Sequence, residues 1–269
     1  MIPFQDNIPS RSFPILTIAI ILINTVTFVY EWSLGAAGEE RMVYKFGLIP
    51  VEFQIIGEGP TPLEIAPVER EVDGQAVLIR PAVERHELEG TFWGAVLPLF
   101  TCMFLHGGWM HLIGNMWFLW LFGDNVEDRL GRMRYVILYV LSGLAAGGSQ
   151  VLVNWGSRTP IIGASGAVAG VLGAYLVTYP YARVRTLVPF FYFFWPVVEL
   201  PAFVFLGLWL LMQFLQGAME LAIPTGAGGV AWWAHVGGFV AGIVCMKLLA
   251  PRLPDRDGPT WNELPEESN

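Results

Sequence analysis

Apolar residues fall in long blocks along the chain, separated by short polar stretches. Most blocks approach the roughly 20 residues that an α-helix needs to cross about 30 Å of hydrocarbon. Six spans are predicted, at about 12–30, 107–122, 135–153, 166–177, 188–215 and 230–249. Pro14 is tolerated in the first turn of the first span. The fourth is short and follows the glycine-rich run GASGAVAG, and Pro196 and Pro201 are expected to kink the fifth. The first run is too long for the apolar core of a signal peptide and no clear small-x-small site follows it, so it reads as a retained span or signal anchor. A long segment, 33–94, separates the first two spans. Residues 39–56 are amphipathic and suited to a membrane surface. The insert 59–90 is rich in Pro and Glu and contains VDGQ, which reads either as the turn of a small hairpin or as part of a disordered polar loop. The fold expected is an all-α polytopic membrane protein, a six-helix bundle. Residues 1–252 would form one transmembrane domain and 253–269 a polar, disordered tail.

Composition agrees. Of the 269 residues, 54% are hydrophobic and 14% charged, against about a quarter charged in a soluble domain. The net charge of −8 comes mostly from Glu39–Glu89 and the tail, and neither part is basic enough for nucleic acid. Basic residues set an orientation. With the N-terminus inside, the short inner loops hold Arg129, Arg132 and Arg134, then Arg183 and Arg185, and the short outer loops hold only Arg158. The positive-inside rule therefore puts both termini in the cytoplasm. Trp32, Trp109, Trp155, Trp232 and Trp233 would then form an outer aromatic belt. Cys102 and Cys245 lie in separate apolar segments, near opposite faces, with no metal-ligand spacing.

Polar groups inside apolar spans need a reason. His106, His111 and Asn115 stand at the start of the second span, Ser165 at the start of the fourth, and His235 early in the sixth. These three spans run in one direction, so their starts share a depth below the outer surface. His111 and Asn115 are four apart and share a helix face. Ser165 at a helix start has unpaired N–H groups around it, which favour a developing negative charge. Gly166–Gly170 and Gly238–Gly242 are both GxxxG runs that let two helix backbones approach. If the fourth and sixth spans pack so, His235 reaches Ser165 and takes its proton. Duller readings stand beside this one. A serine in a membrane helix usually bonds its own backbone, and a histidine is more often structural. A three-histidine zinc site of His106, His111 and His235 is disfavoured by the five-residue spacing and the lack of an acidic partner. Glu199, in the fifth span, would pair with a backbone amide or buried polar group, or serve a transporter's proton relay, for which no second carboxylate is evident.

Three segments together, HGGWMHLIGNM (106–116), GASGAVAG (163–170) and AHVGGFVAG (234–242), resemble the rhomboid intramembrane serine proteases over about residues 10–250. The resemblance implies that Ser165 is the nucleophile and His235 its general base, a dyad without aspartate. It implies an oxyanion hole from Asn115, His111 and the Ser165 N–H, with Gly163 as the loop glycine before the nucleophile. His106 and Gly166 would be supporting residues, and no cofactor or metal would be used. Where many relatives carry Trp-Arg ahead of the second span, this chain reads Leu97-Pro98-Leu99.

The function expected is a serine endopeptidase that cleaves single-pass or multi-pass membrane proteins near the outer face, in a bacterial or archaeal plasma membrane. Its other partner would be the lipid bilayer. The alternative is a catalytically inactive rhomboid-like binding or folding-assistance protein, against which the intact Ser165 and His235 argue. A transporter would need a through-going polar path, and the inner halves of the second, fourth and sixth spans are apolar.

Overall fold

The computed structural model describes residues 1–65, 68–72, 75–80, 84–188, 195–222 and 229–251. In chain order these form β1 (Ile2–Asp6), α1 (Ile15–Ser33), α2 (Gly35–Phe46) and a 3-10 turn (Pro50–Phe53). Then come β2 (Thr61–Ile65), β3 (Val68–Val72), β4 (Gln75–Arg80), β5 (Glu84–Leu88), α3 (Phe92–Val96) and α4 (Pro98–Thr101). The remaining elements are α5 (Trp109–Leu130), α6 (Arg132–Val153), α7 (Ser165–Thr178), β6 (Arg183–Leu187), β7 (Val197–Pro201), α8 (Ala202–Ala222) and α9 (Trp232–Leu249).

Among the described residues, α1, α6, α8 and α9 are each long and apolar enough to cross a membrane. A further candidate joins 92–104 to α5 across a 79° bend. Helix α7 has 14 residues, about 21 Å of rise, which is short of a full crossing. It is also the most enclosed: every residue from Gly166 to Tyr175 is buried, packed against α5, α6, α8 and α9. The protein is thus a helical, multi-pass membrane protein built around a short central helix.

Glycine brings α7 and α9 together. A Cβ built on Gly238 would strike the Gly166 carbonyl oxygen, and one on Gly242 would strike the Gly170 carbonyl. Both GxxxG runs therefore do what their spacing implies: they let backbone touch backbone.

Carboxylates join the helix ends at the side away from Ser165. Both oxygens of the buried Glu127, near the end of α5, accept at the start of α1. Leu16 N–H donates at 3.0 Å, and the Thr17 N–H and hydroxyl both donate at 2.8 Å. Those backbone donors belong to a first helical turn and lack partners within it. Asp128 accepts from the Arg11 N–H and the Ser12 hydroxyl, and Arg129 donates to the Pro251 carbonyl after α9.

The fifth span departs from expectation. The helix expected from 188 starts only at Ala202, as α8, and before it β7 forms one edge of an antiparallel three-stranded sheet ordered β1-β6-β7. Residues 189–194 of that span lie outside the described residues. Pro196 and Pro201 therefore do not kink a membrane helix. Pro196 precedes β7 and Pro201 ends it, where a missing N–H costs least. Glu199 is corrected likewise. It sits exposed on β7, facing Arg185 at 3.5 Å and Arg183 at 3.9 Å across the β6–β7 pair. The strand β1, which apolar blocks alone did not reveal, pairs Ile2 with Leu187 and Asp6 with Val184. The Asp6 carboxylate accepts from Tyr175 on α7 and from Asn125 on α5. Helix α5 also runs on to Leu130, well past the 122 expected.

In the segment after α1, β3 pairs with β4 about residues 73–74, at the VDGQ position, and β2 pairs with β5. Leu63 and Leu88 from that second pair close a small core with Ile49 and Val51. The polar tail, 253–269, lies outside the described residues.

Candidate active site

Ser165 is the first residue of α7. Its place is fixed from behind. Gly163 has φ +123°, a conformation open to glycine and rarely to others, and its N–H donates to the Cys102 carbonyl at 2.9 Å. Just upstream, Leu48 and Ile161 exchange two backbone hydrogen bonds, at 2.8 and 3.0 Å, and Val51 N–H donates to Ser157 O at 2.9 Å. The loop that delivers the serine is thereby tied to the segment after α2.

His235 is the fourth residue of α9. Its Nε2 lies 2.8 Å from Ser165 Oγ, so two residues seventy positions apart meet as the small-residue packing requires. The start of α9 is held by α6: the Gln150 side-chain oxygen accepts from Ala234 N–H at 3.0 Å. The other ring nitrogen, Nδ1, lies 2.7 Å from Oε1 of Gln213 on α8. Both His235 and Gln213 are buried. Trp209, one turn before Gln213, lies tilted beside the imidazole with centroids 5.8 Å apart, and Trp232 meets it edge-on.

His111 is on the first turn of α5. The Gly107 N–H donates to its Nδ1 at 3.4 Å, which leaves Nε2 as the protonated nitrogen. That nitrogen occupies the space beside Gly163: a Cβ there would lie 2.7 Å from it. Asn115, one turn on, is buried, and its side-chain nitrogen finds no hydrogen-bond partner among the described residues. Such an orphaned donor is unusual in a folded protein and asks for an explanation. His106 lies in the link before α5, fully buried, edge-on to His111 with centroids 5.1 Å apart. Its backbone N–H donates to Glu31 at the end of α1, at 3.2 Å. Gly166 lies where a side chain would strike Ala146 of α6.

Ser165, His235, His111 and Asn115 all line one cavity of about 1120 Å³. Asn154, Ser157 and Thr159, from the loop between α6 and α7, give one part of its wall polar character, while Phe118 and Leu172 make another part apolar. Among the described residues no group of three or more His, Cys, Asp or Glu side chains is placed to hold a metal ion. What the arrangement can do is move a proton from a hydroxyl to an imidazole, with unpaired donors close by.

Three contributors were not singled out from the sequence: Gln213, Gln150 and Glu31. For Gln213 a signal existed. It is a buried amide on a helix otherwise suited to lipid, one turn from Trp209, and such a polar group is expected to have a partner.

A family model described as "Rhomboid domain" matches residues 90–252, more than half of the chain. "RHOMBOID-like protein 5" of Arabidopsis thaliana is 34% identical over 176 residues, covering 64% of this chain and 53% of that protein. "RHOMBOID-like protein 1" of the same plant is 30% identical over 171 residues, covering 61% and 39%. "Rhomboid-like protease 5" of Toxoplasma gondii is 32% identical over 157 residues, covering 56% and 16%. The chain thus spans about half the length, or less, of these curated relatives.

Proposed function

The chain belongs to the rhomboid family, and on that premise we propose that it is an intramembrane serine endopeptidase using Ser165 and His235 as a dyad. The observation that carries the reading is the 2.8 Å separation of Ser165 Oγ and His235 Nε2. Ser165 attacks the scissile carbonyl as His235 Nε2 takes its proton. The oxyanion is received by the Asn115 side-chain N–H, the His111 Nε2–H and the Ser165 backbone N–H, which no intrahelical acceptor uses. The orphaned Asn115 donor supports this role, since a substrate oxygen gives it the acceptor it lacks. His235 then protonates the leaving amine and, in the second half, activates water against the acyl-enzyme. Gly163 keeps the hole open, and His106 and Gly166 support its walls.

The membrane arrangement proposed has six spans, α1 and α5 to α9, with both termini cytoplasmic and residues 1–252 as one domain. Meetings of helix ends support it: the start of α1 meets the end of α5, while the starts of α7 and α9 meet each other. The polar part of the cavity wall then faces outward and admits water to Ser165. Substrates would be single-pass or multi-pass membrane proteins cut near that face, and the basic inner loops favour a bacterial or archaeal plasma membrane.

The test uses the full chain in liposomes with a reporter transmembrane substrate. Ser165→Ala should abolish cleavage while thermal unfolding is unchanged. A serine-directed phosphonate should label Ser165, and His235→Ala should remove the label. Undiminished cleavage by Ser165→Ala would overturn the reading.

A further inference from the structure

We infer that Gln213 is a positioning residue for His235, fixing the imidazole tautomer that can accept the Ser165 proton; this rests on the protease reading above. The dyad presents two ring nitrogens, and only the unprotonated one can be the base. Nε2 faces Ser165 Oγ at 2.8 Å and Nδ1 faces Gln213 Oε1 at 2.7 Å. An amide oxygen only accepts. With Oε1 against the ring, the proton sits on Nδ1 and donates to Gln213, and the lone pair of Nε2 is left for the serine hydroxyl. When His235 takes that proton, the imidazolium still has an acceptor at Nδ1, so no buried N–H is orphaned during the reaction.

The amide does this without charge. The cavity's other titratable side chains are His111 on α5 and Glu220 on α8, two turns beyond Gln213. Among the described residues, the aromatic groups against the His235 ring are the Trp209 and Trp232 indoles. Trp209 and Gln213 are four apart, so one face of α8 both covers the ring and sets its proton. Orientation of the base therefore comes from α8, whereas the nucleophile comes from α7 and the base itself from α9.

The test compares the wild-type chain, Gln213→Met and Gln213→Glu in liposomes, reading kcat and KM against pH on the reporter substrate. Methionine keeps the volume and removes the acceptor. It should lower kcat by about tenfold or more, with KM and thermal unfolding little changed. Glutamate restores an acceptor and adds charge beside Nδ1, so it should recover activity and move the acidic limb of the kcat profile to higher pH. In a nitrogen-15 spectrum of His235, wild type should show one tautomer protonated at Nδ1, and Gln213→Met a mixture. Wild-type kcat in Gln213→Met, or a loss in Gln213→Glu equal to that in Gln213→Met with an unmoved profile, would overturn the inference. A wild type that neither cleaves nor labels at Ser165 defeats the protease reading instead, and the nitrogen spectrum still decides the role of Gln213.

Discussion

A methyl group at position 163 would lie 2.7 Å from His111 Nε2, on a backbone at φ +123°. Gly163→Ala is therefore expected to push His111 out of place and to strain the loop, lowering kcat by about a hundredfold. Gly148→Ala on α6, whose Cβ would meet nothing within 4 Å, should leave cleavage at the wild-type rate in the same assay. Asn115→Ala removes a donor without leaving a buried group unpaired, because that donor has no internal partner among the described residues. Its expected cost is about 10²–10³ in kcat with stability unchanged, read by single-turnover kinetics beside thermal unfolding. At this scale the sequence was informative where spacing is local: His111 and Asn115 share a face because they are four apart. It was uninformative about Gln213. An amide's partner across two helices depends on the rotation of each helix, and no local pattern records that.

Between elements, the tightest contact is backbone on backbone. A Cβ on Gly242 would strike the carbonyl oxygen, carbonyl carbon and Cα of Gly170, so the collision cannot be relieved by a side-chain rotation. Gly242→Ala should force α7 and α9 apart, costing about 1–3 kcal/mol, and should lower phosphonate labelling through a longer Ser165–His235 separation. Gly207→Ala on α8, with nothing within 4 Å, should do neither. Glu127→Ala should cost about 2–3 kcal/mol, because the first turn of α1 would lose the carboxylate that accepts its N–H groups. Both costs are measurable by unfolding in mixed micelles. The two GxxxG runs made the α7–α9 contact legible in advance. The start of α8 was not legible, because an apolar, aromatic stretch before it reads equally as strand or helix. Just upstream, RVRTL forms β6 with burial that alternates along it as in a strand, a pattern that only the folded chain reveals.

Across the whole molecule, membrane helices and the layer at the end of the bundle that holds Ser165 share the work. The layer carries a buried carboxylate, Glu52, on the 3-10 turn. Burial pushes its pKa up to about 7, the Glu89 N–H bond works against that shift, and the nearby Glu89 charge adds to it. A raised carboxylate pKa means that the folded state holds the proton where the unfolded chain has released it. Stability from this group is full below about 4.5 and is lost as pH rises through about 7. Thermal unfolding should therefore fall between pH 5 and 8, and Glu52→Gln should flatten that slope. At the other end of the bundle, the β1-β6-β7 sheet has a consequence in time. Ile2 leaves the ribosome long before its partner, Leu187, which follows only after α1 to α7 have been made. Strand β1 must wait unpaired until β6 has been made, and β7, which leads into α8, is the last strand of the sheet to be laid down. Maturation should therefore show a late step, a protease-sensitive β1 segment that becomes protected only once residues 183–201 have emerged.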